Sequence, residues 1–290
     1  MAVPDGDVAD PIDPVIDLDR YPIADPAGPG WAAVVARVRA DLAADGCSVL
    51  ADFVRADRRA ALGEECARVA PRAYAEVETV NVYNTAPDPA LPADHPARTP
   101  LQRGNAFVAR DLIPPDAVVH RLYTDPLFQR FVADCFGLPR VHELADPLSG
   151  LCVNVLAPGH GHPWHFDTNE FTVSMLTQQP AAGGEFEYCP RIRSATAENL
   201  DAVKAVLDGR AGGRVLTLRP GDLQLFQGRY SLHRVREVAG TTPRHSAILA
   251  YSERPGVVGT PERTRQLFGR LAPAHTAQAT RAVRVDSLLD

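Results

Sequence analysis

The second half of the chain consists of short apolar or alternating segments, separated by turns that contain Gly and Pro. In the segment FTVSML, an extended chain puts Phe171, Val173 and Met175 on one face, with Thr172 and Ser174 on the other. Many short segments of this kind are typical of an antiparallel β-sandwich or barrel. We therefore predict a β core, with strands over residues 151–156, 171–176, 185–188, 215–218, 223–226 and 245–251.

The first half of the chain has a helical pattern instead. Apolar side chains recur at helical spacing over 31–42, and Gly46 follows as a stop signal. Asp125 is placed to cap a second helix, which has Pro126 in its first turn and ends at Gly137. Together the two halves predict an α+β protein with helices packed on a β core.

The pattern changes also predict how the chain is divided. Residues 1–29 are rich in Pro and Asp, which predicts an extended N-terminal arm. Residues 30–290 are predicted to form a single domain, because their number is within the range of one domain. Within that domain we expect a mainly helical part over 30–140, a β core with the functional site over 141–255, and a C-terminal segment over 256–290.

Composition excludes several classes of partner. The formal net charge is −6 and no basic footprint is apparent, so a nucleic-acid partner is not expected. No uncharged apolar stretch is long enough to span a membrane, and the acidic N-terminus is unlike a secretory signal. The five cysteines contain no CxxC pair, which fits the reducing cytoplasm as the predicted location. A small molecule is the expected partner, and the oligomeric state is left open.

The densest chemical segment is GHGHPWHFD, over residues 159–167. His165 and Asp167 are two residues apart, so on an extended segment their side chains project to the same side. One imidazole and one carboxylate are two thirds of the facial triad that non-haem Fe(II) oxygenases use. The third ligand should be a later histidine, and His233, which lies just after the predicted strand 223–226, is the candidate.

A second pair follows His233 along the chain. Arg244 and Ser246 are two residues apart and hence on one face of the last predicted strand. A planar guanidinium beside a hydroxyl suits the capture of a carboxylate through two hydrogen bonds.

The combination of HxD, a distal His about 70 residues later and Arg-x-Ser shortly after it resembles the Fe(II)/2-oxoglutarate-dependent oxygenases. The resemblance implies a double-stranded β-helix, or jelly-roll, core. It implies that His165, Asp167 and His233 bind Fe(II), and that Arg244 with Ser246 binds the distal carboxylate of 2-oxoglutarate. The expected cofactor set is therefore Fe(II), 2-oxoglutarate as co-substrate, and O2.

The phrases HFDTNEFTVSMLTQQPAAGGEFEYCPRIR and PGDLQLFQGRYSLHRV resemble one branch, the hydroxylases and halogenases of free amino acids, such as the lysine halogenase type. Halogenases of that branch have Gly or Ala where Asp167 stands, which leaves a metal position for chloride. Because Asp167 fills it, the resemblance implies hydroxylation of an unactivated C–H in a free amino acid or similar small polar acid, with 2-oxoglutarate decarboxylated to succinate. Desaturation or ring closure with the same cofactors is the alternative.

The branch also suggests residues for the substrate. The resemblance assigns Arg103 to the substrate carboxylate and places His162 near the substrate. Thr168 stands where lysine-acting members have an acidic residue, which argues against lysine as the substrate. Position alone adds Asn154, Trp164, Asn169 and Glu170 as pocket candidates.

Two other hypotheses use the same chain differently. A cupin-type metal isomerase or epimerase would use His160, His162 and Glu170, although this glutamate lies farther along than the usual cupin gap and Arg244 would have no role. A non-catalytic protein could instead bind 2-oxoglutarate or another ligand in the pocket. Dependence of 2-oxoglutarate consumption on Fe(II) separates the oxygenase from both.

Overall fold

The computed structural model of the protein describes residues 15–277 and 288–289. Its helices, which all precede residue 278, are α1 (Pro29–Asp45), α2 (Arg59–Val69), α3 (Val118–Thr124), α4 (Pro126–Phe136), α5 (Leu200–Leu207), α6 (Pro261–Phe268) and α7 (Pro273–Ala277). None of the helices in the described ranges is both long enough and apolar enough to cross a bilayer.

The strands pair in antiparallel fashion throughout the described chain. In chain order they are β1 (Cys47–Leu50), β2 (Glu78–Val80), β3 (Leu101–Arg103), β4 (Ala106–Val108), β5 (His142–Glu143), β6 (Leu151–Leu156), β7 (His162–His165), β8 (Thr172–Gln178), β9 (Ala182–Gly183), β10 (Phe186–Cys189), β11 (Arg214–Leu216), β12 (Leu223–Phe226), β13 (Leu232–Val235), β14 (Val238–Ala239), β15 (Arg244–Leu249) and β16 (Tyr251–Ser252). The major sheet has the order β1-β12-β8-β15-β6-β4, and the minor sheet has the order β11-β10-β13-β7.

The two sheets share an apolar layer that joins their inner faces. Phe186 and Tyr188 of the minor sheet meet Phe226 of the major sheet edge-on, with ring centroids 5.2 and 5.6 Å apart. Leu156 and Val235 complete this cluster from β6 and β13. The predicted β core is therefore confirmed as a jelly roll of two antiparallel sheets.

Helices α1 to α4 cover the outer face of the major sheet. Val173 and Met175 of β8 belong to the large apolar cluster that these helices complete. Thr172 and Ser174 alternate with them and line the internal cavity instead. The alternation predicted from the sequence thus separates a helix-facing side from a cavity-facing side.

The two predicted helix boundaries in the first half are confirmed. Helix α1 ends at Gly46, which has a left-handed φ of 67°. At the start of α4 the Asp125 carboxylate accepts a hydrogen bond from the Phe128 N–H at 2.8 Å. The left-handed Gly137 ends α4 with a φ of 73°.

The part expected to be mainly helical also supplies strands to the major sheet. Strand β1 pairs with β12 at one edge. Strand β4 pairs with β6 at the other edge and was not predicted, because three residues are too few to show a period.

The N-terminal segment differs from the expected extended arm. Residues 1–14 of the predicted arm lie outside the described residues. In the described part, Val15, Ile16, Tyr21 and Ile23 are buried against the helical layer. These apolar side chains hold residues 15–28 on the core, because their burial offsets the Pro- and Asp-rich composition around them.

Leu249 offers a direct test of the buried layer between β15 and the helices. It is fully buried, and β15 is paired on both sides by β6 and β8. Leu249→Ala should lower the free energy of unfolding by about 2–5 kcal/mol, because the lost methyl groups leave a cavity. The control Leu127→Ala, at a side chain 38% exposed on α4, should change it by about 0.5 kcal/mol or less. Urea denaturation measures both, and equal effects would contradict the assigned burial.

Candidate metal centre and substrate cavity

Three side chains converge where the minor sheet meets the cavity. His165 on β7 lies opposite His233 on β13 in the antiparallel register, with ring centroids 4.0 Å apart. Asp167 Oδ1 lies 3.7 Å from His165 Nε2 and 3.4 Å from His233 Nε2. Within the described ranges this is the one cluster of His, Cys, Asp or Glu that could hold a metal, with ligand atoms within 4.8 Å of one another.

Backbone carbonyls fix the orientation of both imidazoles. His165 Nδ1 lies 2.8 Å from the carbonyl oxygen of Pro163, and His233 Nδ1 lies 2.9 Å from that of Ser231. Since a carbonyl only accepts, each Nδ1 is the protonated nitrogen and each Nε2 presents its lone pair at the centre of the cluster. Burial also lowers the pKa of His165 well below its usual value, so the ring is neutral at neutral pH.

Asp167 is held as an anion beside these rings. Burial raises the pKa of Asp167, but the neighbouring His233 and His165 and the Thr172 hydroxyl lower it more, so the net pKa lies well below its usual range. Thr172 Oγ1 donates to Oδ2 at 2.8 Å, which leaves Oδ1 facing the imidazoles. Two imidazole nitrogens and one carboxylate oxygen fit the facial triad of Fe(II).

Gly228 is a part of the centre that the sequence did not indicate. Its carbonyl accepts a hydrogen bond from the Asp167 N–H at 3.1 Å. A Cβ at position 228 would lie 2.0 Å from Asp167 Oδ2. Only a residue without a side chain therefore leaves room for the carboxylate in its observed position.

Arg244 and Ser246 begin β15 and face the same cavity. The Arg244 guanidinium is buried and donates to Ser246 Oγ at 3.2 Å. Burial lowers the pKa of Arg244 to about 10, so the group remains a cation at neutral pH. No carboxylate of the described chain lies within ion-pair distance of it. A buried cation without a counter-ion is costly, so the site favours an anionic ligand.

The cavity has a volume of about 950 Å³ and is bounded by the two sheets and by α6. The predicted residues that line it are His165, Asp167, His233, Arg244, Ser246, His162, Asn154 and Thr168. The His162 ring stacks on His165 with centroids 3.6 Å apart. Of the additional candidates, Asn169 lines the cavity and Glu170 does not.

Several polar atoms at the cavity wall have no hydrogen-bond partner among the described residues. They are Tyr83 Oη, Asn84 Oδ1, Asn154 Oδ1 and His162 Nε2. Buried polar atoms are normally satisfied in native proteins, so these four indicate that a polar ligand completes the site. Tyr83 and Asn84 were not predicted, because they lie in a region without periodicity and reach the cavity only through the tertiary fold.

Trp164 does not contact the cavity, contrary to the prediction. It precedes His165 on β7, and adjacent strand residues project to opposite faces. Its ring lies in the cluster that α5 covers, and the Arg234 guanidinium carbon is 4.5 Å from the ring centroid. The residue packs the outer face of the minor sheet.

Arg103 also lies outside the cavity lining. It is 1% exposed, and its Nη2 donates to Glu78 Oε2 at 2.6 Å and to the Gln266 carbonyl at 2.9 Å. These contacts tie β3 to β2 and to α6. The Glu78 carboxylate pairs with Nη2 of this arginine, while its Nε and Nη1 are buried without a hydrogen-bond partner in the described chain. Its contact with a substrate carboxylate stays a prediction.

The cupin-type ligand set is not assembled. His160 Nδ1 lies 3.2 Å from the Pro158 carbonyl, and neither His160 nor Glu170 lines the cavity. His162 alone of the three faces it, beside the His165 ring.

Comparison with known proteins assigns the chain to a family. The profile of the family described as halogenase D matches residues 31–257, which is most of the chain. The chain belongs to the halogenase D family. No curated protein shows significant sequence similarity to this family member.

Solved structures share the fold of this halogenase D family member at low sequence identity. A Burkholderia pseudomallei oxidoreductase of the 2OG-Fe(II) oxygenase family has 18% identity and a TM-score of 0.50, covering 77% of this chain and 92% of its own. The epimerase SnoN from nogalamycin biosynthesis has 15% identity and a TM-score of 0.53, covering 76% and 83%. AviO1 from Streptomyces viridochromogenes Tue57 has 16% identity and a TM-score of 0.52, covering 78% and 97%.

These likenesses confirm the jelly-roll fold for the halogenase D family member. Together with the His-Asp-His donor set, the fold supports Fe(II), 2-oxoglutarate and O2 as the cofactor set.

Gly228→Ala tests the close approach of the backbone to Asp167. The added methyl should displace the carboxylate and weaken Fe(II) binding by about 10–100-fold, as loss of supporting contacts does at other metal sites. The matched control is Gly212→Ala, since a Cβ at position 212 meets nothing within 4 Å. Anaerobic titration with Fe(II) measures both affinities. Equal affinities for the two variants would show that position 228 does not set the carboxylate.

Proposed function

We propose that this halogenase D family member is an Fe(II)/2-oxoglutarate-dependent oxygenase that hydroxylates an unactivated C–H of a free amino acid or similar small acid. The observation that carries the proposal is the buried Arg244 guanidinium, which lacks a counter-ion in the described chain and faces the same cavity as the triad. The distal carboxylate of 2-oxoglutarate fits this cation and the adjacent Ser246 hydroxyl.

In the proposed enzyme His165, Asp167 and His233 hold Fe(II). With 2-oxoglutarate and O2 the metal supplies oxidation of a C–H bond, coupled to decarboxylation of 2-oxoglutarate to succinate. The protein's own task is to orient the ligands and to keep water from the reacting C–H. The carbonyls of Pro163 and Ser231 keep both Nε2 lone pairs directed at the metal position.

Asp167 favours hydroxylation over the halogenation in the family's name. Thr172 donates a hydrogen bond to its carboxylate, and the Gly228 carbonyl accepts one from the Asp167 backbone N–H. Because these contacts hold the Asp167 carboxylate in place, it would occupy the coordination position on the metal that a halide would otherwise use.

The unsatisfied wall atoms support a substrate with an N–H or ammonium group. Asn84 lines the cavity, and its Nδ2 donates to the Phe166 carbonyl at 2.9 Å, so the atom left without a partner in the described chain is the acceptor Oδ1. An acceptor at the wall suits a donor on the ligand, such as the ammonium of an amino acid.

Desaturation and ring closure use the same cofactor set and remain the alternative outcome for this site. SnoN, an epimerase, has the same fold, so the fold does not select among these reactions. The mass of the product separates them, because only hydroxylation adds an oxygen atom to the substrate.

Arg244→Gln tests the co-substrate anchor. Anaerobic addition of Fe(II) and 2-oxoglutarate to the wild-type protein should produce the weak visible charge-transfer band of chelated 2-oxoglutarate. The variant should need about 100-fold more 2-oxoglutarate for the same band, because a buried charge pair has lost its cation. The control Arg58→Gln, at an exposed surface arginine, should titrate like the wild type. No band in the iron-loaded wild type would overturn the proposed function.

Asp167→Gly tests the role of the carboxylate. Removal of this ligand should abolish hydroxylation while the jelly-roll fold is retained, because the side chain is at the cavity wall and not in the apolar layers. Mass spectrometry of the product and circular dichroism of the variant measure the two effects. Hydroxylation at the wild-type rate would show that Asp167 is not an iron ligand.

A further inference from the structure

One wall of the cavity comes from outside the family match. The match ends at residue 257, and α6 begins four residues later and lies along the cavity. Three contacts hold the helix in place. The Gln266 carbonyl accepts from Arg103 at 2.9 Å, Gln266 Nε2 donates to the Asn84 carbonyl at 3.3 Å, and Phe268 meets Phe107 edge-on. These contacts fix helix α6 as one wall of the cavity.

Helix α6 contributes Arg263 to the cavity wall. Arg263 is partly buried and lines the cavity, and its Nη1 contacts the neutral Oε1 of Gln266. Within the described ranges no carboxylate lies at ion-pair distance from it. Burial and the nearby Arg103 lower the pKa of Arg263 to about 10, so it stays charged at neutral pH. It thus differs from Arg103, which is paired with Glu78.

Arg263 lines the same cavity as His165, Asp167 and His233. Of the arginines that line the cavity, Arg244 is buried and Arg263 partly buried, and neither has a carboxylate within ion-pair distance in the described chain, whereas Arg265 is exposed. If 2-oxoglutarate neutralises Arg244, Arg263 is left to attract a second anion.

The cavity becomes apolar along the inner face of β15. Successive inward side chains are Arg244, Ser246 and Ile248. On β6, Asn154 lies opposite Ser246 and Cys152 lies opposite Ile248. The same step from polar to apolar therefore occurs on both strands.

The far wall continues this apolar region. Phe107, Cys152 and Phe268 belong to one buried cluster, against which Ile248 packs, and all four line the cavity. Val258 lines it as well. A charged side chain of a ligand would find no partner in this cluster, whereas an aliphatic or aromatic one would bury apolar area.

We propose that Arg263 binds the substrate carboxylate, and that the apolar wall of Phe107, Cys152, Ile248 and Phe268 receives an apolar side chain. The substrate is then a carboxylic acid, such as an amino acid, with an aliphatic or aromatic side chain in place of a basic one. This inference rests on the proposed function and moves the carboxylate contact from Arg103 to a residue beyond the family match.

The test measures binding without turnover. Isothermal titration calorimetry is performed anaerobically on the full chain with Fe(II) and 2-oxoglutarate bound, and the probes are L-leucine, L-phenylalanine, L-lysine and leucinol. Leucine or phenylalanine should bind about 10-fold or more tightly than lysine, because the apolar wall offers the lysine ammonium no partner. Leucinol, which lacks the carboxylate, should bind about 10-fold or more weakly than leucine.

Variants then assign the carboxylate contact. Arg263→Gln should bind leucine and leucinol equally, and Arg263→Lys should restore part of the preference for leucine, because it keeps the charge without the planar fork. The matched control is Arg270→Gln. Arg270 follows α6 but pairs with Asp111 at the surface and does not line the cavity, so leucine binding should be unchanged.

The outcomes separate this inference from the proposed function. If the charge-transfer band is absent from the wild type, the oxygenase proposal fails and this inference fails with it. If the band is present, three results overturn only this inference: tighter binding of lysine than of leucine and phenylalanine, no binding of either apolar acid, or an unchanged preference for leucine over leucinol in Arg263→Gln.

Discussion

The antiparallel pairing of β7 with β13 is the constraint on which the candidate site depends. It sets His165 directly opposite His233, and the chain turns after β7 so that Asp167 meets both Nε2 atoms. Contacts from neighbouring segments hold these three side chains in place. Backbone carbonyls orient the imidazoles, and the bare backbone of Gly228 leaves space for the carboxylate. A shift of one residue in the register would turn the histidines to the outer face.

The rest of the fold surrounds this polar cluster with two packed sheets and their helical layers. The helical layer packs on the outer face of the major sheet, and α5 covers the outer face of the minor sheet. The inner faces are therefore left to line the cavity, in which the buried polar groups interact more strongly than they would in bulk water. Arg244, unpaired within the described chain, is tolerable there because the large apolar clusters stabilise the fold around it. The free-energy cost of burying the Arg244 charge without a counter-ion is removed when an anion binds.

Membership in the halogenase D family and the presence of Asp167 together define the chemistry that we propose. The family match covers the jelly roll, where the metal and co-substrate groups lie. Helix α6 lies beyond it and supplies Arg263 and Phe268 to the cavity. The parts that handle the cofactors and one wall of the substrate cavity thus come from different regions of the chain. This separation lets a substrate wall change without disturbing the metal centre.

The sequence by itself determined the features that have a local signal. Short apolar or alternating segments identified β6, β8, β10, β11, β12 and β15, and cap residues bounded α1 and α4. The spacing of the motifs indicated the three residues of the triad and the pair Arg244 and Ser246. Only the tertiary structure decided what depends on contacts between distant segments. Trp164 faces outward, Arg103 pairs with Glu78, and Arg263 and Gly228 join the site. The reason is that periodicity reports which face a residue occupies, whereas strand pairing and helix docking decide what that face meets.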